Sequence, residues 1–248
     1  MCMKNIRQVI LMIGLTFYMP TLWAQFSYKP NPPTLDYITN NLDNGDVTIF
    51  WTKPPHEPQI ADPSGYIIYV PRNPIDPDAD GWDPIDTVDQ NTFQYTHVGA
   101  NGNGQRVYYR VASLGAFEPS QMTVKHSQVW ITASYDSCNA KIDISWVGYE
   151  AWPLNASSPY RNIRYQLYMG NDLNWSAYTQ IGDYEGYSNR HSVRDVQENQ
   201  DYFFYIKATR MDTGYESYSN LYLIHTKMAR RPTYVSVDSV IATNNGNR

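Results

Sequence analysis

The sequence predicts an all-β protein built as tandem antiparallel β-sandwiches. Three observations lead there. The chain holds 22 Tyr and 7 Trp against only 17% charged residues, a composition that suits pleated, half-buried strands. Its 16 Pro and 14 Gly supply turns between short strands. It also repeats itself. The segment "DVTIFWTKPP" (Asp46–Pro55) matches "KIDISWVGYEAWP" (Lys141–Pro153), with Trp51 and Trp146 95 residues apart. "GYIIYVPRN" (Gly65–Asn73) matches "RYQLYMGND" (Arg164–Asp172), and Tyr66 and Tyr69 stand 99 residues before Tyr165 and Tyr168. "VYYRVAS" (Val107–Ser113) matches "YFFYIKA" (Tyr202–Ala208) at an offset of 95. Matched segments in one order at a nearly constant offset mean two copies of one domain.

Taken in chain order, the first element is a targeting segment. Lys4 and Arg7 precede an apolar run from Val9 to Trp23, and Ala24 follows as a small residue. That is the pattern of a secretory signal peptide over residues 1–24. The run is short for a span of about 20 residues, and Pro20 interrupts it. The mature chain is therefore expected to be exported to the cell surface or medium, with no membrane span. Loss of Lys4 and Arg7 takes the net charge from −5 to −7. An acidic, Tyr-rich chain lacks the basic footprint that nucleic acid requires.

The first copy, residues 28–127, reads as strands at Thr34–Asn40, Asp46–Trp51, Gly65–Val70, Ile85–Val88, Thr92–His97, Arg106–Ser113 and Met122–Lys125. The second, residues 128–228, reads as strands at Val129–Tyr135, Lys141–Val147, Arg164–Met169, Ala177–Gly182, Arg190–Arg194, Asp201–Thr209 and Ser219–Thr226. No window carries a capped helical stripe. Within each strand alternate residues face the core: Ile142, Ile144 and Trp146 inward, Asp143 and Ser145 outward. The tail "RRPTYVSVDSVIATNNGNR" (residues 230–248) resembles a third beginning. Pro232 lies 199 residues after Pro33, close to two repeats, and "TNNGNR" is the counterpart of "NNLDNGD". Residues 229–248 are expected to be the first strand of a truncated third copy.

These residues resemble the fibronectin type III family of immunoglobulin-like sandwiches. The marks are a Trp in the second strand, a Tyr-rich third strand, and Tyr-x-Phe-x-Ile-x-Ala in the sixth. The resemblance implies a tyrosine corner at Tyr202, whose hydroxyl would bond back to nearby backbone. "TGYESYSN" (Thr213–Asn220) is similar to the family's turn into the last strand. The first copy departs, with Val107 where the corner tyrosine belongs. The stretch His126–Trp152 also resembles the junction between modules in large surface proteins of gliding bacteria, where an Asp-x-Cys such as Asp136–Cys138 precedes the Trp strand. That resemblance implies a multi-module, C-terminally sorted protein.

Chemistry-bearing motifs are sparse. The five His form no metal-type pair, and neither a nucleophile elbow nor a phosphate-cradling loop is present. Cys138 is left alone once Cys2 departs with the signal, and is expected to be buried and inert. The sharpest local run is "NPIDPDADGWDPIDTVDQN" (Asn73–Asn91). Asp76, Asp78 and Asp80 alternate ahead of Gly81 and Asp83, like the first half of a calcium loop. The twelfth position is Thr87 rather than Glu, and Pro77 and Pro84 stiffen the run. Any calcium binding would be weak, and a long solvated loop between the third and fourth strands is the simpler expectation. No other cofactor is expected. Trp82, Trp152, Trp175, Tyr178, Tyr184 and Tyr187 fall in loops or strand ends, where flat rings can stack on sugars or anchor a protein partner. The favoured expectation is that they cover junctions and sheet edges; Trp175, Tyr184 and Tyr187 are the binding candidates. The reading is a non-catalytic structural or adhesive spacer within a larger surface or secreted protein. Its partners would be other modules of the same chain, and a surface glycan or protein. The alternative is a carbohydrate- or protein-binding accessory module of an enzyme carried elsewhere on the chain.

Overall fold

The computed structural model describes residues 29–152 and 162–227. The signal segment and the tail both lie outside them. The first sandwich contains β1 (Thr34–Asn40), β2 (Val47–Thr52), β3 (Gly65–Pro71), β4 (Trp82–Asp89), β5 (Gln94–His97), β6 (Tyr108–Leu114) and β7 (His126–Ser127). The second contains β8 (Trp130–Asp136), β9 (Lys141–Val147), β10 (Ile163–Gly170), β11 (Thr179–Glu185), β12 (Arg190–Val193), β13 (Asp201–Arg210), β14 (Glu216–Tyr218) and β15 (Tyr222–His225). A 3-10 turn, Trp175–Ala177, precedes β11.

Both sandwiches follow one plan. Sheet β1-β2-β5 faces β4-β3-β6-β7, and β12-β9-β8 faces β11-β10-β13-β14 with β15 also on β13. All pairings between these strands are antiparallel. In a constant-type immunoglobulin domain the fourth strand joins the first, second and fifth. Here it joins the third in both copies, so the repeat seen in the sequence is a repeat of topology.

The inward residues obey the strand alternation. Ile142, Ile144 and Trp146 are buried, while Ser145 and Val147 are exposed. Each second-strand Trp meets a third-strand Tyr: Trp51 lies edge-on to Tyr66 at 5.5 Å, and Trp146 is tilted against Tyr165 at 6.3 Å. The tyrosine corner forms as the resemblance implies, with the Tyr202 hydroxyl accepting the Gln197 N–H at 3.0 Å.

Four expectations need correction. Met122–Lys125 is not a strand; β7 is only two residues, paired with Tyr108–Tyr109. Side chains have taken over the ladder there: the Thr123 hydroxyl accepts the Val111 N–H at 3.1 Å, and the Ser120 hydroxyl accepts the Ser113 N–H at 2.8 Å. The same substitution breaks the last strand of the second copy into β14 and β15, since the Ser219 hydroxyl accepts the Ile206 N–H at 2.8 Å. The loop between the third and fourth strands, expected to run up to Ile85, ends three residues earlier, because β4 begins at Trp82. Pro84 is tolerated there because β4 is a sheet edge and a register shift opposite Ile68/Tyr69 accommodates it. Cys138 is exposed, not buried; it sits in the tight β8–β9 turn, where its N–H caps Asp136 at 3.1 Å.

The two sandwiches pack side by side along β1 and β14. The Thr39 hydroxyl accepts the Tyr218 N–H at 3.1 Å, and the Asn40 amide donates to the Ser219 carbonyl at 3.0 Å. Across the junction Asn103 also accepts the Leu221 N–H at 2.9 Å, next to Asn220, which clamps Ile131 of its own sandwich from both sides. Leu42, in the β1–β2 turn, is buried against Tyr178, Phe203 and Tyr205 of the second sandwich. A single apolar cluster runs through both cores.

Candidate functional site

The segment after β9 turns back onto the first sandwich and locks there. Tyr149 is buried and stacks on Trp152 with centroids 3.8 Å apart. Its hydroxyl accepts the Ile38 N–H at 2.8 Å and lies 2.9 Å from Nδ1 of His126. The hydroxyl has one proton to donate, and the neutral His126 ring accepts it when its own proton sits on Nε2. Burial holds the His126 pKa down to about 3, with Arg210 adding to the effect, and burial also drives the Tyr149 phenol well above its usual value. The Trp152 indole N–H donates to the Asp36 carbonyl at 2.9 Å.

Beside this lock lies a cleft of about 360 Å³, shared by both sandwiches. Its floor is Trp146 and Tyr165, both buried. Burial pushes the Tyr165 phenol up to about 12, and its oxygen accepts the Tyr149 backbone N–H. One lip is the β11–β12 turn, residues 186–189. Gly186 has φ 65 there, a conformation open to glycine at no steric cost. Tyr187 stands on this lip 62% exposed. The opposite lip is Arg106, from the first sandwich.

Arg106 begins a ladder of charge. It reaches the Tyr108 hydroxyl at 3.3 Å, the Gly148 carbonyl at 3.4 Å and Glu150 at 3.3 Å. Glu150 also pairs with Lys125 at 3.3 Å, and Lys125 pairs with Asp78, which Arg110 meets at 3.5 Å. Rings support the cations: Arg106 lies 5.1 Å from the Tyr108 centroid and Arg110 4.6 Å from that of Trp82. The hydrogen bond from Lys125 lowers the Asp78 pKa, and the same bond raises that of Lys125. The ladder borders a second groove of about 470 Å³ that shares Glu150 with the cleft.

The structure disperses the acidic run. Asp78 is held by Lys125 and Arg110, and Asp83 by Arg72 at 2.7 Å. Asp76 and Asp80 belong to the exposed β3–β4 loop. Among the described residues, no group of three or more His, Cys, Asp or Glu is placed to hold a metal ion. The aromatic candidates also separate. Trp175 is half-buried in the interface, donating to Asp43 at 2.7 Å and standing edge-on to Tyr205. Tyr184 covers Trp146 at 5.3 Å and bonds to His191. Tyr187 alone of the three lines the cleft. Trp152 and Tyr178 are buried.

Sequence reasoning passed over Arg106, His126 and Tyr149. The signal for two of them was a break in the repeat. At the 95-residue offset Tyr149 corresponds to Pro54, and Arg106 to Asp201.

No protein-family model matches the sequence, and no curated protein matches it. Among solved structures, the chain is similar to the FN1-FN3 domains of chicken CNTN1, at 13% identity and a TM-score of 0.30. That match covers 80% of this chain and 66% of the other. A second is the pectate lyase PelI of Erwinia chrysanthemi, solved with tetragalacturonic acid, at 14% identity and a TM-score of 0.30, covering 39% of this chain and 28% of that one. At such scores the fold assignment stands on the strand order itself: two immunoglobulin-like sandwiches with the fourth strand beside the third, joined in tandem.

Proposed function

We propose that the chain is an exported, non-catalytic structural and adhesive module of a larger surface protein, in which two sandwiches act as one rigid body. The observation that carries this is the continuous core with its buried lock, Ile38 to Tyr149 to His126. Sandwiches joined only by a linker would keep separate cores and move independently. The resemblance of His126–Trp152 to module junctions in proteins of gliding bacteria supports a multi-module setting. Scanning calorimetry of the full chain tests the rigid-body reading. One transition is expected, with calorimetric and van't Hoff enthalpies equal. Two independent transitions would overturn it.

A second reading is a binding module, favoured by the cleft under Tyr187. We read the acidic loop as a solvated one in which Asp78 and Asp83 serve ion pairs, a reading supported by their contacts with Lys125, Arg110 and Arg72. Titration calorimetry with millimolar Ca²⁺ should give no heat and no melting shift, and a saturable heat lost in Asp80→Asn would reverse that assignment.

A further inference from the structure

One end of the first sandwich, away from the cleft, presents open apolar surface. Between the β3–β4 loop (residues 72–81) and the β5–β6 loop (residues 98–107) lies a pocket of about 170 Å³. Val70, Pro74, Ala100 and Val107 give it aliphatic walls. Two polar groups of the wall answer each other, since the Tyr109 hydroxyl lies 2.8 Å from Nδ1 of His97. Beside this pocket two large apolar side chains stand open. Ile75, next to Pro74, is 93% exposed, and Val98, next to His97, is 76% exposed. Open apolar side chains from two loops around one apolar pocket are the mark of a contact surface. The second copy shows the same end of the fold in use. Its β10–β11 loop, 99 residues on, receives the first sandwich: Leu42 packs with Tyr178, and Trp175 donates to Asp43 at 2.7 Å.

We propose that this end of the first sandwich docks another protein, through one aromatic side chain of the partner flanked by Lys or Arg. An apolar pocket of this size holds one benzene-sized group, and aromatic anchors seated in such pockets carry much of the energy of protein contacts. The basic flanks follow from charge. Asp83 pairs with Arg72, and Asp78 with Lys125 and Arg110, while the carboxylates of Asp76 and Asp80 have no ion pair among the described residues. Both stand exposed on the same loop as Ile75. Complementary charge there steers and selects the partner. A free aromatic molecule would fill the pocket but leave Ile75, Val98 and both carboxylates uncovered, whereas a protein segment covers all four. The inference rests on the adhesive part of the proposed function and gives it a surface and a class of partner.

The test is a titration of the isotope-labelled full chain, followed by amide chemical shifts, with the end-capped peptide Lys-Phe-Lys up to about 10 mM, the weak end of measurable affinity. Saturable shifts are expected at Ile75, Val98 and Ala100. Lys-Ala-Lys should give none, and Glu-Phe-Glu should bind at least about tenfold more weakly. Ile75→Ser should weaken Lys-Phe-Lys about tenfold, with its thermal transition unchanged, since that side chain packs against nothing that holds the fold. Five results would overturn the proposal. They are no saturable shift at these residues, equal binding of Lys-Ala-Lys, and binding unchanged in Ile75→Ser. The fourth is p-cresol binding as tightly as the peptide, which would make this a small-molecule pocket. The fifth is the same amides shifting with protein concentration alone, which would make the occupant a second copy of the chain. The calorimetric transition of the unliganded chain is independent of all five, so failure here leaves the rigid-body reading standing. Two transitions there would leave this surface intact, because it lies wholly in the first sandwich.

Discussion

The Tyr149 hydroxyl shows how much one atom can hold. It is the acceptor for the buried Ile38 N–H and the partner of His126, and so joins β1, β7 and the segment after β9. Tyr149→Phe keeps the ring and removes the oxygen, leaving that N–H unsatisfied. The expected loss is about 1–3 kcal/mol in urea denaturation. His126 adds a pH dependence whose sign is fixed. Its folded pKa is depressed to about 3 from 6.5, chiefly by burial. Above 6.5 neither state carries the proton. As pH falls below 6.5 the unfolded chain takes up a proton that the folded chain refuses, so stability drops by up to about 1.4 kcal/mol per pH unit. His126→Asn should therefore flatten the stability profile between pH 6 and 4 by up to about one proton. Equal slopes in both proteins would show that the imidazole is not held neutral. The sequence displayed the histidine but not its burial. His225, 99 residues on, stands at the matching position and is instead exposed and paired with Asp201. The difference comes from what packs above each ring, which the repeat does not encode.

Strands were legible where side-chain alternation does the work. Lys141–Val147 matches the structure residue for residue because it alternates between a filled core and a polar face, and Thr34–Asn40 matches in its bounds although a bulge between Leu35 and Tyr37 interrupts its alternation. The last strand of each copy was not legible, because its ladder is completed by hydroxyls, and a Ser reads the same in a turn as in a strand. Ser120 and Ser219 do the same work 99 residues apart: each accepts a sixth-strand N–H and donates to the carbonyl that follows, both at 2.8 Å. Ser219→Ala should strand the buried Ile206 N–H and cost about 1–3 kcal/mol. Tyr202→Phe removes a corner bond to the exposed Gln197, which water can replace, and should cost no more than about 1 kcal/mol. If the two variants lost equal stability in parallel denaturation curves, the contrast between buried and exposed partners would fail. The candidate site was half legible for a related reason. Tyr187 was a binding candidate in the sequence, but Arg106 comes from the other copy, and nothing local brings residue 106 to residue 187.

At the scale of the whole molecule, the question is what makes two copies of one fold into one body. Area alone is a weak answer, because contacts between domains of a chain commonly leave them free to move. The specific answer is that β1 lies along the edge strand β14, and the β1–β2 turn inserts Leu42 among Tyr178, Phe203 and Tyr205. Covering β14 also removes an open edge that could template pairing with another chain. Leu42 is thus the point at which to separate the bodies without unfolding them, since it lies in a turn and contributes to the junction rather than to its own sandwich's main core. Leu42→Asp would place a charge against a buried aromatic cluster, a substitution that drives the surfaces apart because the carboxylate keeps its water. The expected outcome is two calorimetric transitions in place of one, a larger radius of gyration by small-angle scattering, and far-ultraviolet circular dichroism unchanged from the parent. A single transition shifted to lower temperature, with the radius unchanged, would mean that the lock at Tyr149 and Trp152 suffices and that Leu42 only adds to it. Loss of the β signal would mean that neither sandwich stands alone, and that the tandem is the smallest folding unit.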